Sequence, residues 1–96
     1  MATYTCISEI ADFIWVHQHD AADAEMALRA HLGSWGLDPV QCLSESELDY
    51  LIRVANGSEP VELLLVNSCR NVWFWLGGAS LSEKITCYII RTDTSA

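Results

Sequence analysis

The run Val72-Trp73-Phe74-Trp75-Leu76 sets five large apolar residues side by side, and it limits the possible folds more than any other stretch. It is too short for an average helix, and its aromatic content suits a pleated surface. Asn71 before it and Gly77-Gly78 after it supply turn formers at both ends. Side chains alternate across a strand, so Val72, Phe74 and Leu76 point one way and Trp73 and Trp75 the other. Neither set is polar. Burying each large side chain is worth about 1.5–3 kcal/mol, so both faces of this strand need a cover. Helices can supply one of the two.

The rest of the chain reads as elements arranged around that strand. Thr3 to Ile10 is rich in strand formers, and Phe13 to His19 follows after a tight turn at Ala11-Asp12, which predicts an antiparallel hairpin. In the second strand Ile14 and Val16 share one face, and Phe13, Trp15, His17 and His19 share the other. Asp20 is placed to cap a helix running to about Leu32, with Asp23 adding favourable charge in its first turn. Ala21, Ala24, Leu28, Leu32 and Trp35 form its apolar stripe, with Met26 and Ala30 beside it. Gly33 or Gly36 can end it, and Asp38-Pro39 opens a linker to Leu43. Ser44-Glu45-Ser46-Glu47 has the form of a capping box, followed by Leu48, Leu51, Ile52 and Ala55 at helical spacing and closed by Gly57. Val61 to Val66 reads either as a strand or as a packed loop feeding the Val72 strand. That strand can continue towards Leu81, with Gly77-Gly78 as a bulge. Ser82-Glu83-Lys84 turns the chain into a last strand, Ile85 to Arg91. There Ile85, Cys87 and Ile89 share one face, and Thr86, Tyr88 and Ile90 the other. Thr92 to Ala96 is a polar tail expected to fray.

The order β-β-α-α-(β)-β-β predicts a single α+β domain over residues 1–96, with two hairpins in one mostly antiparallel sheet and a helix pair on one face. One sheet face is expected to collect Ile14, Val16, Val72, Phe74, Leu76, Ile85, Cys87 and Ile89. The other collects Trp15, Trp73, Trp75, Tyr88 and Ile90, with Tyr4 and His17. The pattern leaves open which of the two meets the helices.

Charge narrows the partners. Thirteen acidic residues against five basic ones give a net charge of −8. Five cations neutralise few phosphates, so neither nucleic acid nor an anionic membrane is an expected partner. A basic patch on another protein is allowed. The charge also offsets a hydrophobic content of 51% and a mean hydropathy of +0.19, because like-charged molecules stay apart. The N-terminus lacks a basic segment followed by an apolar one, and no apolar run approaches the roughly 20 residues of a membrane span. A cytoplasmic location is expected. Cys6, Cys42, Cys69 and Cys87 are far apart without a C-x-x-C pair, which favours free, buried thiols over disulfides.

Several of these segments together resemble a group of small uncharacterised bacterial proteins of the integron gene-cassette and mobile-element type. The likeness rests on the Tyr4–Glu9 and Phe13–His19 hairpin, the alanine-rich Ala21–Leu32 helix, the Pro60-Val61 loop leading into Asn71-Val72-Trp73, and the closing Ile85–Asp93 strand. It implies a small α+β fold and frequent self-association. It implies no activity and brings no functional residues with it.

Candidate chemistry is sparse. His17 and His19 lie on one strand face, and Asp20 and His31 could lie near, but the spacing of a four-ligand site is missing and no metal site is assigned. Cys6 or Cys87 could stand beside a strand histidine as a nucleophile, yet both sit among apolar residues and read as packing. No phosphate-binding glycine motif occurs beyond the bare Gly77-Gly78 pair. Glu45, Glu47, Asp49, Glu59 and Glu62 read as a solvated acidic edge. No catalytic residue and no cofactor are assigned. The aromatic set stands out, and large exposed apolar patches mark interfaces. The expected function is a non-enzymatic interaction module that forms a homodimer through its sheet. Trp15, Trp73, Trp75, Tyr88, Ile90 and His17 are the expected interface residues. The alternatives are an acidic inhibitor from a mobile element or phage, using the Glu45–Asp49 edge against a basic groove, and a small-molecule binder using the aromatic face with His17.

Overall fold

The structure is a computed structural model that describes residues 2–10, 13–34, 45–77 and 85–92. The elements run β1 (Ala2–Ile10), β2 (Phe13–Ala21), α1 (Ala24–Gly33), α2 (Glu45–Asn56), β3 (Leu64–Leu65), β4 (Val72–Gly77) and β5 (Ile85–Arg91). The strands form one sheet in the order β2-β1-β5-β4-β3, with every neighbouring pair antiparallel. The expected α+β fold is therefore present. Both hairpins are there, and β1 and β5 join them at the centre.

Several local expectations shift. Strand β2 runs past His19 to Ala21, because its pairing with β1 continues to Ala2↔Ala21. Asp20 is thus a strand residue whose Oδ1 accepts a 2.7 Å hydrogen bond from Thr3 Oγ1, and it does not cap a helix. Asp23 is the N-cap: its Oδ1 accepts from the Met26 backbone N–H at 2.9 Å. Helix α1 buries Ala24, Ala27, Leu28, His31 and Leu32, while Met26 is exposed. Helix α2 buries Glu47, Leu51 and Val54, so its inner face is rotated away from Ile52, which is exposed. Gly57 takes φ 88°, and the Ser58 N–H closes the helix on the Arg53 carbonyl at 2.9 Å, the geometry that a glycine there permits. Only Leu64–Leu65 of the 61–66 segment forms a strand. Thr92 is not frayed: its N–H bonds the Thr3 carbonyl at 2.9 Å. Expectations for the Ala11-Asp12 turn, Trp35, Gly36, Asp38-Pro39, Cys42, Ser44, Gly78 to Lys84 and the last four residues fall outside the described residues.

The core lies between one sheet face and the two helices. Tyr4 and Cys6 from β1, Trp75 from β4, and Ile85, Cys87 and Ile89 from β5 meet Ala27, Leu28 and Leu32 of α1 and Leu51 and Val54 of α2. Arg29 ties the helices together. Its Nη1 donates to the carbonyls of Val54 (2.5 Å) and Glu59 (3.0 Å), occupying acceptors at the carboxyl end of α2 where cations are favoured.

Trp75 is 3% exposed, and a close approach by its own strand makes that possible. Its indole folds over Gly77, so a Cβ at position 77 would overlap the six-membered ring of the tryptophan. Gly77→Ala is expected to lower stability by about 1–3 kcal/mol through overpacking, read as a reduced urea midpoint with an unchanged slope.

Candidate functional site

Strand register decides where the expected interface residues go. On β1, Tyr4, Cys6 and Ser8 point to the helices, and the pairings Cys6↔His17, Ser8↔Trp15, Cys6↔Ile89 and Ser8↔Cys87 carry that face across β2 and β5. Trp73↔Ile89 and Trp75↔Cys87 extend it to β4. Trp15, His17, Trp73 and Trp75 therefore lie on the helix-covered face. Trp75 is buried, and Trp15 and Trp73 pack against the core cluster, with Tyr4 and Trp73 ring centroids 6.0 Å apart. Tyr88 and Ile90 lie on the opposite face. The expected grouping of all six on one side is corrected: β5 joins the others with the parity opposite to the one assigned to it. Ile85, Cys87 and Ile89 accompany the tryptophans, while Tyr88 and Ile90 accompany Val72, Phe74 and Leu76.

Beneath α1 the covered face holds a polar seam that the aliphatic pattern does not announce. Ser8 and His31 are both 0% exposed, and Ser8 Oγ lies 2.6 Å from His31 Nε2. His31 Nδ1 lies 3.3 Å from His17 Nδ1. His19 completes a triangle of imidazoles, with centroid separations of 5.2 Å (His17–His31), 5.9 Å (His19–His31) and 6.1 Å (His17–His19). His19 Nε2 is buried and has no hydrogen-bond partner. Burial, and then the neighbouring His17 and His19, push the His31 pKa down to about 3, so the ring stays neutral. Burial and His17 also lower that of His19. Asp20, considered beside these histidines, turns to the other face and bonds Thr3.

A serine 2.6 Å from an imidazole has the spacing of a nucleophile and base. Neither side chain is exposed, so substrate has no route to Oγ in this conformation. The thiols are quiet as well. Burial pushes Cys6 up to about 12 and Cys87 up to about 11, the latter against a hydrogen bond from Ser8. Cys69 is exposed, contrary to the expectation of a buried thiol. Of the acidic edge, Glu47 is buried, and Asp49 and Glu59 both pair with Arg53, at 3.3 and 3.0 Å.

Neither described helix covers the opposite face. One cross-strand row, Val16–Ile7–Tyr88–Phe74–Leu64, runs apolar across all five strands. Phe74 and Tyr88 form its centre, with ring centroids 5.1 Å apart and planes tilted by 49°. Ile14 and Leu76 lie in the next row. Ile14, Val16, Leu64, Leu76 and Tyr88 are exposed, from 45% at Tyr88 to 63% at Ile14, while Ile7 and Phe74 are half-buried. Towards one end the face turns polar: Gln18 Nε2 donates to Thr5 Oγ1 at 3.1 Å, and Thr5 and Thr92 hydroxyls lie 3.1 Å apart.

Described residues also line two surface grooves. One of about 570 Å³ lies between the helices, lined by Glu25, Arg29, Gly33 and Ala55 among others. A smaller one of about 290 Å³ lies beside Tyr50, Glu62 and Trp75. Neither is lined by His17, Trp15 or Trp73. Among the described residues no helix is long and apolar enough to cross a membrane. No protein-family model matches the chain, and no curated protein or solved structure matches it significantly.

Two measurements check the covered face. Ser8→Ala removes a partner of His31 from a dry site and is expected to cost about 1–3 kcal/mol in a urea titration. At pH 8 the raised pKa values leave Cys6 and Cys87 almost wholly protonated. Alkylation mapped by peptide mass should mark Cys69 quickly, and should mark Cys6 and Cys87 only after denaturant is added.

Proposed function

We propose that the chain is an interaction module that pairs with a second copy of itself, sheet against sheet, through the face opposite the described helices. The apolar row Val16–Ile7–Tyr88–Phe74–Leu64 carries this reading. A row that spans every strand is continuous, unlike the single exposed apolar residues normal on any surface. Its layout is that of an interface, with an aromatic pair at the centre and hydroxyl and amide groups at the rim. The anchors are Phe74 and Tyr88 with Val16, Ile14, Leu64 and Leu76. Of the expected interface residues, Tyr88 and Ile90 keep that role, and the tryptophans and His17 do not.

Size supports a second copy. Four strands about 4.8 Å apart and about six residues deep, flanked by the two-residue β3, outline a face of roughly 400 Å² in projection. Side-chain relief raises the accessible area above the projection, towards the ~800 Å² per partner of a standard interface. Two twisted sheets of this kind pack about 10 Å apart with their side chains interleaved.

Sedimentation velocity between about 1 and 200 μM tests the proposal. A concentration-dependent dimer is expected. Val16→Asp, at an exposed position, should weaken it at least tenfold, about 1.4 kcal/mol or more, by burying an unpaired charge. Met26→Asp on the helix side should leave it unchanged. Each copy carries −8, so raising salt should strengthen the dimer by screening. A monomer throughout this range, or a dimer indifferent to Val16→Asp, refutes the proposal.

A further inference from the structure

The three histidines under α1 are more than a buried polar patch. His17 and His19 come from the edge strand β2 and His31 from the helix above it, so a strand and a helix meet at one cluster of nitrogen donors. Ser8 Oγ lies 2.6 Å from His31 Nε2, so in the tautomer in which Nε2–H donates to Ser8, His31 Nδ1 carries no proton. His31 Nδ1 faces His17 Nδ1 at 3.3 Å. Two nitrogens bound to one tetrahedral ion at about 2.0–2.1 Å stand about 3.3–3.4 Å apart. The Ser8 contact is also the kind of outer partner that orients a ligating imidazole, holding one ring nitrogen so that the other points at the ion.

The third ring is within reach. Tetrahedral ligands at such bond lengths place imidazole centroids about 5.2 Å apart. The His17–His31 separation of 5.2 Å matches, and the His19 ring, at 5.9 and 6.1 Å from the other two, has to close by less than about 1 Å on each. His19 Nε2 is buried without a hydrogen-bond partner, and a metal ion would supply one. As the rings stand, no three donors among the described residues already meet at one point. Binding therefore requires the His19 ring to turn, which its position on an edge strand permits. Cys6, across from His17, is not in the donor set: its Sγ–H bonds the Ala27 carbonyl.

We propose that His17, His19 and His31 bind one divalent transition-metal ion of the zinc, nickel or copper class, through His17 Nδ1, His31 Nδ1 and the His19 imidazole. Imidazole donors suit these ions and discriminate against magnesium and calcium, which prefer oxygen. Three protein ligands leave further coordination positions open, the arrangement of a site that takes water or a small anion as well. The proposal is independent of the sheet-face dimer, which lies on the other side of the sheet.

The test uses the full, untagged chain, stripped with chelator and titrated with Zn²⁺, Ni²⁺ or Cu²⁺ by calorimetry, with Mg²⁺ as control. One ion per chain is expected, with a rise in melting temperature that Mg²⁺ does not give. His17→Ala and His19→Ala, both on the partly exposed edge strand, should each weaken binding at least tenfold while keeping the circular dichroism of the parent. The Cu²⁺ complex should show nitrogen hyperfine coupling by electron paramagnetic resonance, and a variant with Cys42 and Cys69 both changed to Ser should bind as the parent does. Absence of binding at 100 μM chain and ion overturns the proposal. So does binding that survives both histidine substitutions, or binding lost with the two cysteines.

Discussion

The pairing of β1 with β5 holds this protein together. It joins strands from the two ends of the chain, with Tyr4 opposite Arg91 and Cys6 opposite Ile89, and without it the two hairpins are separate ribbons. A two-stranded hairpin is at best marginal in water, whereas five strands under two helices can hold a core. The Thr92 N–H to Thr3 carbonyl bond and the Thr5–Thr92 hydroxyl contact continue the seam just beyond the last strand. So long a loop must be closed before its contacts contribute, which places the fold among the slower, non-local class.

That central register also dictates the chemistry inside. Ser8 stands beside Cys87 and Trp15 because β1, β5 and β2 align as they do, and α1 lowers His31 onto it. A buried hydroxyl and a buried imidazole would each be costly alone; bonded to each other they are tolerated. The same alignment places His17 against His31. Local order thus comes from hydrophobic burial, while the specific geometry of the histidine cluster comes from a short chain of polar contacts threaded through the core.

The two described helices leave apolar sheet surface uncovered. The sheet treats its two faces unequally: Trp15, Trp73 and Trp75 lie on the helix-covered side, with Trp75 folded over Gly77, and Ile14, Val16, Leu64, Leu76 and Tyr88 are exposed on the other. The acidic balance makes like-charged copies repel one another, in opposition to the apolar row. Arg29 and Arg53 direct their charge within the helix layer, to carbonyls and carboxylates of α1, α2 and the Glu59 loop.

The sequence by itself determined the elements and the alternation within each strand. Phe13-Ile14-Trp15-Val16 announces two opposed faces, Gly57 marks a helix end, and the hairpin–helix–helix–hairpin order follows from turn residues and apolar periods. Each of these depends on neighbours a few residues apart. Tertiary structure alone decided how the faces of different strands combine. Side chains have a period of two, so the parity of β5 against β1 rests on the alignment of residues 75 to 87 positions apart, and a slip of one reverses every side chain. That is why Tyr88 and Ile90 left the tryptophans, and why Asp20 stayed in a strand that pairing extended. The Ser8–His31 contact was equally out of reach, although Ser8 and His31 occupy apolar positions in their own patterns. A polar residue on a buried stripe signals a hidden partner, but only the packed helix says which one.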